Sequence, residues 1–297
     1  MTLWTQIDSN KRKTWVLMTT FLILFVLLGW LFSYIFKSRW ILIIAVMIAT
    51  TQAFLSYWYS DKIILKTMRA KEISKKDAPE LYRIVENLSI TAGLPMPKVY
   101  IIEERQPNAF ATGRDPHHSA IVVTRGLLDL LEDEELEGVI AHEMAHIGNR
   151  DILLQTVLVI LVGAIALLSD FFLRMSFWGF RREEDSRGNI LLFLMAILAA
   201  VLAPLVATII QLAISRKREF LADATGALLT RYPEGLARAL EKISKVKVPL
   251  KGANISNAHL FIENPLRGSK KYSFFERLFM THPPVEERIK ALREMNI

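Results

Sequence analysis

The sequence predicts an α+β protein, mostly helical, in which a soluble part with a small β-sheet accompanies helices able to cross a membrane. Two charge-free apolar stretches near the N-terminus, 14–36 and 40–60, are each long enough to span about 30 Å of hydrocarbon as helix. Apolar residues recur at helical spacing in several later segments, among them Leu136, Val139, Ile140, Met144 and Ile147. Three short strand-like segments lie between the first of these helices and the second.

Composition agrees with apolar spans beside a basic soluble part. The 297-residue chain is 52% hydrophobic, yet it carries 37 Lys and Arg against 30 Asp and Glu, a formal net charge of +7. Cysteine is absent, which excludes a disulfide framework, a thiol nucleophile and a thiolate metal ligand. His and carboxylate must therefore carry any chemistry. The basic residues cluster beside apolar spans and no nucleic-acid module is present, so nucleic acid is not expected as a partner and anionic lipid is the simpler one.

The two N-terminal stretches read as a transmembrane hairpin occupying residues 1–60. Trp15, Trp30, Trp40, Trp58 and Tyr59 include several near the span ends, where aromatic belts sit. A cleavable signal peptide is the alternative for the first stretch, but its apolar run exceeds an h-region and no small-residue cleavage site precedes the second. Lys11, Arg12 and Lys13 precede the hairpin and Lys62, Lys66, Arg69, Lys71, Lys75 and Lys76 follow it, with only Lys37 and Arg39 between. The positive-inside rule then puts the N-terminus and the region after residue 60 in the cytoplasm.

Residues 61–151 read as the first part of a soluble domain. Asp77-Ala-Pro-Glu80 opens a helix with Leu81, Ile84, Val85 and Leu88 on one face, ending near Gly93. Strands are expected at 98–103, 109–112 and 120–124, with 114–118 as the turn between the last two. His117 and His118 in that turn read as exposed residues, not ligands.

The segment His142-Glu143-Met144-Ala145-His146 follows on the next helix. At about 100° and 1.5 Å per residue, both imidazoles lie on one face about 6 Å apart and can bind one ion. Glu143 projects from the same side, where it can serve as general base toward a water on a catalytic zinc, which keeps three protein ligands and one open position. The competing reading is a chance pentapeptide with satisfied core histidines. Acids from Glu132 to Glu137 suit a helix start and favour the metal reading.

Catalytic zinc needs a third ligand, and the best candidate lies in Arg216-Lys217-Arg218-Glu219-Phe220-Leu221-Ala222-Asp223. Glu219 and Asp223 are again four apart, so one face can offer Glu219 to the metal and Asp223 to the free ring nitrogen of a ligating histidine. On spacing alone, a solvated Arg/Glu face with pairs such as Arg216 and Glu219 is an equal alternative. Between the two motifs, 152–173 carries one charge, Asp170, and 189–215 carries none, with Pro204 placed to kink it. Both read as further spans within 152–215, the alternative being a buried or surface-lying helical pair. The chain from 216 to 297 would then complete the soluble domain.

Taken together, HEMAH, a hydrophobic pair and then SRKREFLADATGA resemble the HtpX-type membrane zinc metalloproteases. Asn108, Ala109, Phe110, Ala111, Thr112 and Gly113 upstream, and Thr281-His-Pro-Pro284 downstream, match other signatures of that family in the same order. The resemblance implies a zincin-like metalloprotease domain, one Zn²⁺ per chain on His142, His146 and Glu219, and Glu143 as catalytic base. It suggests residues 108–113 as the sheet edge along which an extended substrate adds as a strand. It further implies quality control of misfolded membrane proteins under stress, with unfolded or membrane-protein substrates, the bilayer and other membrane quality-control proteins as partners.

Further along, 233–245 reads as an amphipathic helix using Leu236, Leu240 and Ile243, and 247–271 as a basic connection or a loop over the cleft. His259 has no partner at ligand spacing. His282 precedes a helix started by Pro and acids and reads as structural, with a supporting role behind the metal ligands also open. If the later pair spans, the metal helix runs directly into the third span and the active site lies at the cytoplasmic membrane face. Two other readings compete with a membrane zinc endopeptidase: a protease of prenylated CaaX substrates, and a non-catalytic scaffold or chaperone with a structural zinc. The general base Glu143 weakens the last, because a structural site has no use for one.

Overall fold

A computed structural model describes residues 3–35, 37–162, 164–165, 216–246 and 283–295. The stretch 189–215, residues 163 and 166–173 of the stretch 152–173, the connection 247–271, His259 and His282 lie outside these residues.

Helices α1 (Leu3–Ile35) and α2 (Arg39–Trp58) form the N-terminal hairpin. Within it, Asp8–Tyr34 and Arg39–Trp58 are long and apolar enough to cross a membrane. Gly29 makes their contact possible, since a Cβ there would lie 2.3 Å from the Ala45 side chain. All of Trp15, Trp30, Trp40, Trp58 and Tyr59 are exposed on this hairpin.

A short helix α3 (Ser60–Thr67) leads into strand β1 (Lys71–Glu72) and helix α4 (Pro79–Ala92). Pro79 occupies the first turn of α4 and Gly93 caps its end, as its sequence predicts. Strands β2 (Lys98–Ile102), β3 (Ala109–Asp115) and β4 (His118–Thr124) follow. The sheet order is β1-β2-β4-β3, with β2 parallel to β4 and the other two pairs antiparallel. Only 116–117 remains as the turn of the β3–β4 hairpin, shorter than the 114–118 expected. Asp115 pairs with His118 across the ladder, and its side chain accepts from the His118 backbone N at 3.0 Å, which extends both strands toward the turn.

Strand alternation gives the sheet two different faces. Val99, Ile101, Ala109, Ala111, Ile121 and Val123 point into a core with the helices on one side. Ile102, Phe110, Ala120 and Val122 point the other way and pack on Ile64 and Leu65 of α3. The soluble domain is thus closed against the foot of the hairpin.

After helix α5 (Arg125–Leu130), helix α6 (Asp133–Gly148) crosses the helical core. A further helix, α7 (Asp151–Val162), is bent from it by 87°. The metal helix therefore does not run straight into the apolar segment. The chain turns at Asn149 and Arg150, the latter at φ 57°, and this corner lets α7 lie along α1. There Leu154, Val157, Leu158 and Leu161 pack with Met18 and Phe21 in a separate apolar cluster. Helices α8 (Arg216–Thr230), α9 (Pro233–Lys245) and α10 (Val285–Arg293) complete the domain around α6. Leu236, Leu240 and Ile243 of α9 enter its core, as their spacing predicts.

Candidate metal centre

Helix α6 starts where its acids are. The Glu132 backbone donates to Glu135 Oε2 at 3.0 Å in a reciprocal capping box, and Asp133, Glu134 and Glu135 fill the positive end of the helix dipole. Val139, Ile140, Met144 and Ile147 are fully buried and fix the rotation of the helix. Its remaining face, with His142, Glu143 and His146, is buried as well. Such burial of two imidazoles and a carboxylate needs compensating partners.

Helix α8 supplies them. Gly226 lies so close to α6 that a Cβ would sit 2.9 Å from the His142 backbone N. Glu219 and Asp223, seven and three residues before it on the same helix face, reach the histidines. Glu219 Oε2 is 3.7 Å from His142 Nε2, Glu219 Oε1 is 3.7 Å from His146 Nε2, and the two Nε2 atoms are 3.2 Å apart. Arg216 is exposed while Arg218, Glu219 and Asp223 are buried, so this is not a solvated Arg/Glu face.

Both Nδ1 atoms are held from behind. His142 Nδ1 lies 2.9 Å from Asp223 Oδ1, and His146 Nδ1 lies 3.1 Å from Asp151 Oδ2. Carboxylates there fix the tautomer that leaves each Nε2 free to ligate. Each carboxylate has its own cation. Arg288 of α10 grips Asp223 with Nε at 2.8 Å and Nη2 at 2.6 Å, and Arg218 Nε is 3.0 Å from Asp151 Oδ1. Burial acts against ionised Asp223, but the Arg288 guanidinium prevails and holds its carboxyl at about 2. Asn10 of α1 also donates to Asp151 and, at 3.1 Å, to the Asn149 carbonyl.

Glu143 stands beside this cluster without joining it. Its Oε2 accepts from the Ala111 backbone N at 2.8 Å, an amide that points away from β4 at the outer edge of β3. Burial pushes the Glu143 carboxyl above the usual carboxylate range, partly opposed by the two histidines. A carboxyl so placed takes up a proton more readily than an exposed one, which suits a general base.

The donor atoms fit one small cation. His142, His146 and Glu219 each offer a ligand atom within 4.8 Å of the others. Bonds of about 2.0–2.1 Å in a tetrahedron put ligands about 3.3 Å apart, close to the 3.2–3.7 Å seen. Two imidazoles and one carboxylate, with the ring nitrogens already oriented, form a set of donors able to hold one metal ion.

The family model for peptidase family M48 matches residues 75–296, a region that contains every residue of this cluster except Asn10. The chain belongs to peptidase family M48. It is 47% identical over 295 residues to a protease HtpX homolog of Dictyoglomus thermophilum, covering 99% of this chain and 95% of that one. A protease HtpX homolog of Pyrococcus furiosus is 49% identical over 265 residues, 89% of each chain. Among solved structures, S. mikatae Ste24p matches with a TM-score of 0.48 and 20% identity, over 98% of this chain and 66% of that one. This M48 chain is a metalloprotease with membrane helices.

Of the residues singled out in the sequence, the fold gathers His142, Glu143, His146, Glu219 and Asp223 at one place. It lays Ala109–Gly113 along α6, all buried, with Asn108 just before the strand. Two outward amides of that strand are engaged: Ala111 by Glu143, and Gly113 by Thr156 Oγ1 at 3.5 Å. His118 is exposed beside Asp115, away from the cluster. Sequence reading missed Asp151, Arg218, Asn10 and Arg288. For Arg288 a signal existed: it shares the inward stripe of its helix with Val285 and Leu292, where an apolar residue is expected.

Proposed function

We propose that this M48 peptidase is a membrane-anchored zinc endopeptidase that cleaves misfolded or damaged membrane proteins at the cytoplasmic face. The observation that carries the reading is the place of Glu143, buried between the two histidines and the outer amide of Ala111.

His142, His146 and Glu219 would hold Zn²⁺, which supplies a Lewis acid for the scissile carbonyl and acidifies a water at its open position. Asp223 and Asp151 keep each imidazole in the ligating tautomer. Glu143 takes the proton of the attacking water and returns it to the leaving amine, a role its raised carboxyl range suits. An extended substrate adding to β3 competes with Glu143 for the Ala111 N–H. Substrate binding thus frees the base at the moment it is needed.

The basic residues that flank the hairpin at 11–13 and 62–76 support the cytoplasmic orientation. The packing of α3 and α7 against the sheet and α1 sets the cluster near the foot of the hairpin, within reach of chains protruding from the bilayer. The test is proteolysis by the full-length protein in neutral detergent, with an unfolded membrane protein and a prenylated CaaX peptide as substrates. Chelation should abolish cleavage of the unfolded protein and Zn²⁺ should restore it. Preference for the prenylated peptide would assign the narrower specificity instead, and indifference to chelation would end the metal reading.

A further inference from the structure

A hollow separate from the histidine cluster lies at the α6–α7 corner. A cavity of about 130 Å³ opens there, lined by Lys11 and Trp15 of α1, Tyr57 of α2, Arg114 and Asp115 of β3, and Arg150 of the corner. Three of these segments, distant in sequence, thus place three cations around one hollow. Asp115, the sole carboxylate lining it, is already engaged by His118 at 2.9 Å and Arg114 at 3.4 Å. Among the described residues the side chains of Lys11 and Arg150 make no hydrogen bond or ion pair, so the hollow keeps an excess of positive charge. Arg150 reaches it from a backbone at φ 57°, a conformation L residues rarely adopt and one that tends to be kept where a side chain has work to do.

Depth is the second observation. Lys11 stands three residues before the charge-free stretch 14–36, and Tyr57 is in the last turn of α2, at the same end of the hairpin. Trp15 stacks on Tyr57 at 5.9 Å, and the Arg114 guanidinium lies 4.7 Å from the Trp58 ring. Aromatic rings of this kind mark the headgroup layer, where lipid phosphates sit. Guanidinium forks match a phosphodiester in two-point hydrogen bonding, while an ammonium adds a point charge.

From these we infer that the Lys11, Arg114 and Arg150 cavity binds the phosphate headgroup of an anionic phospholipid. The inference rests on α1 and α2 crossing a bilayer. Its place matters, since Arg150 adjoins Asp151, which contacts His146, and Arg114 lies on the same strand as Ala111, whose amide meets Glu143. The bound lipid would brace the corner that joins the metal helix to the membrane.

The full-length protein, reconstituted in bilayers of phosphatidylcholine and phosphatidylglycerol, is moved to neutral detergent and its retained lipid counted by native mass spectrometry. Wild type should keep phosphatidylglycerol in preference to phosphatidylcholine. A Lys11→Gln/Arg150→Gln pair should lower that retention at least about tenfold, the factor a single hydrogen bond to a charged group carries. A Lys62→Gln/Lys66→Gln pair removes equal charge from exposed positions of α3 and should leave it unchanged. Equal retention of both lipids, or equal loss in both pairs, overturns the site. Displacement by inorganic phosphate at about 10 mM overturns the lipid as ligand in favour of soluble phosphate. Thermal melting reports folding, and Lys11→Gln alone carries the comparison if the pair melts early. Flotation with phosphatidylcholine liposomes under alkaline extraction judges the membrane reading separately: integrated protein without lipid preference defeats only the site.

Discussion

Asn10, near the start of the first membrane helix, donates a side-chain hydrogen bond to Asp151 across 141 residues of sequence. Because Asp151 also contacts His146 Nδ1, the membrane hairpin reaches the metal cluster through one intervening side chain. Anchor and centre are therefore one construction.

Loosening that link should loosen the metal. Partners that orient a ligating imidazole are worth about 10–100-fold in metal affinity. Asp151→Ala is expected near the upper end of that range and Asn10→Ala near the lower, read by competition between the protein and a zinc chelator. An unchanged affinity in Asp151→Ala would remove it from the site.

Glu219→Ala should leave a folded protein that no longer retains zinc through dialysis, since two histidines alone make a poor site. Metal analysis decides this directly. Full zinc content in the variant would show that another group completes the coordination.

Gly226 holds α8 against α6, and no side chain fits between it and His142. Gly226→Val should destabilise the protein by about 1–3 kcal/mol through overpacking and lower its zinc content, because Glu219 moves with the helix. Denaturant unfolding in detergent and metal analysis would register both effects.

Arg288→Ala leaves Asp223 buried without its cation, a change that costs about 3–5 kcal/mol. Its pH dependence has a definite sign. In wild type the Asp223 carboxyl sits at about 2, below the ordinary 3.8, so its contribution is complete above 3.8 and is lost as pH falls toward 2. Without Arg288 burial raises the carboxyl instead, and the deficit of the variant should be greatest at neutral pH and shrink in acid. Unfolding followed from pH 7 to pH 3 would reveal a constant deficit if Asp223 were not the cause.

What the sequence made legible was local. The four-residue spacings of His142 with His146 and of Glu219 with Asp223 place side chains on one helix face before any tertiary fold is known. The short strand segments at 98–103 and 120–124 were legible too, and Pro79 and Gly93 marked the ends of α4. The supports of the cluster were hidden because they arrive from other elements: Asn10 from α1, Asp151 from the corner after α6, and Arg288 from α10. Nothing near Asn10 or Asp151 in sequence announces a partner, and the inward position of Arg288 signals a buried charge without naming what it meets. The sharp corner at Asn149 and Arg150 was missed for a related reason, since Arg150 takes the left-handed region without being a glycine that would signal it.

The most direct trial of the account is the proteolytic rate of Glu143→Gln, measured on protein whose zinc content equals that of wild type. The substitution keeps size and leaves His142, His146 and Glu219 in place, so metal should remain. Loss of the proton carrier should lower cleavage of an unfolded substrate by about 10²–10⁴-fold. Cleavage at the wild-type rate with zinc bound would contradict the assignment of Glu143, and with it the mechanism built around the Ala111 edge.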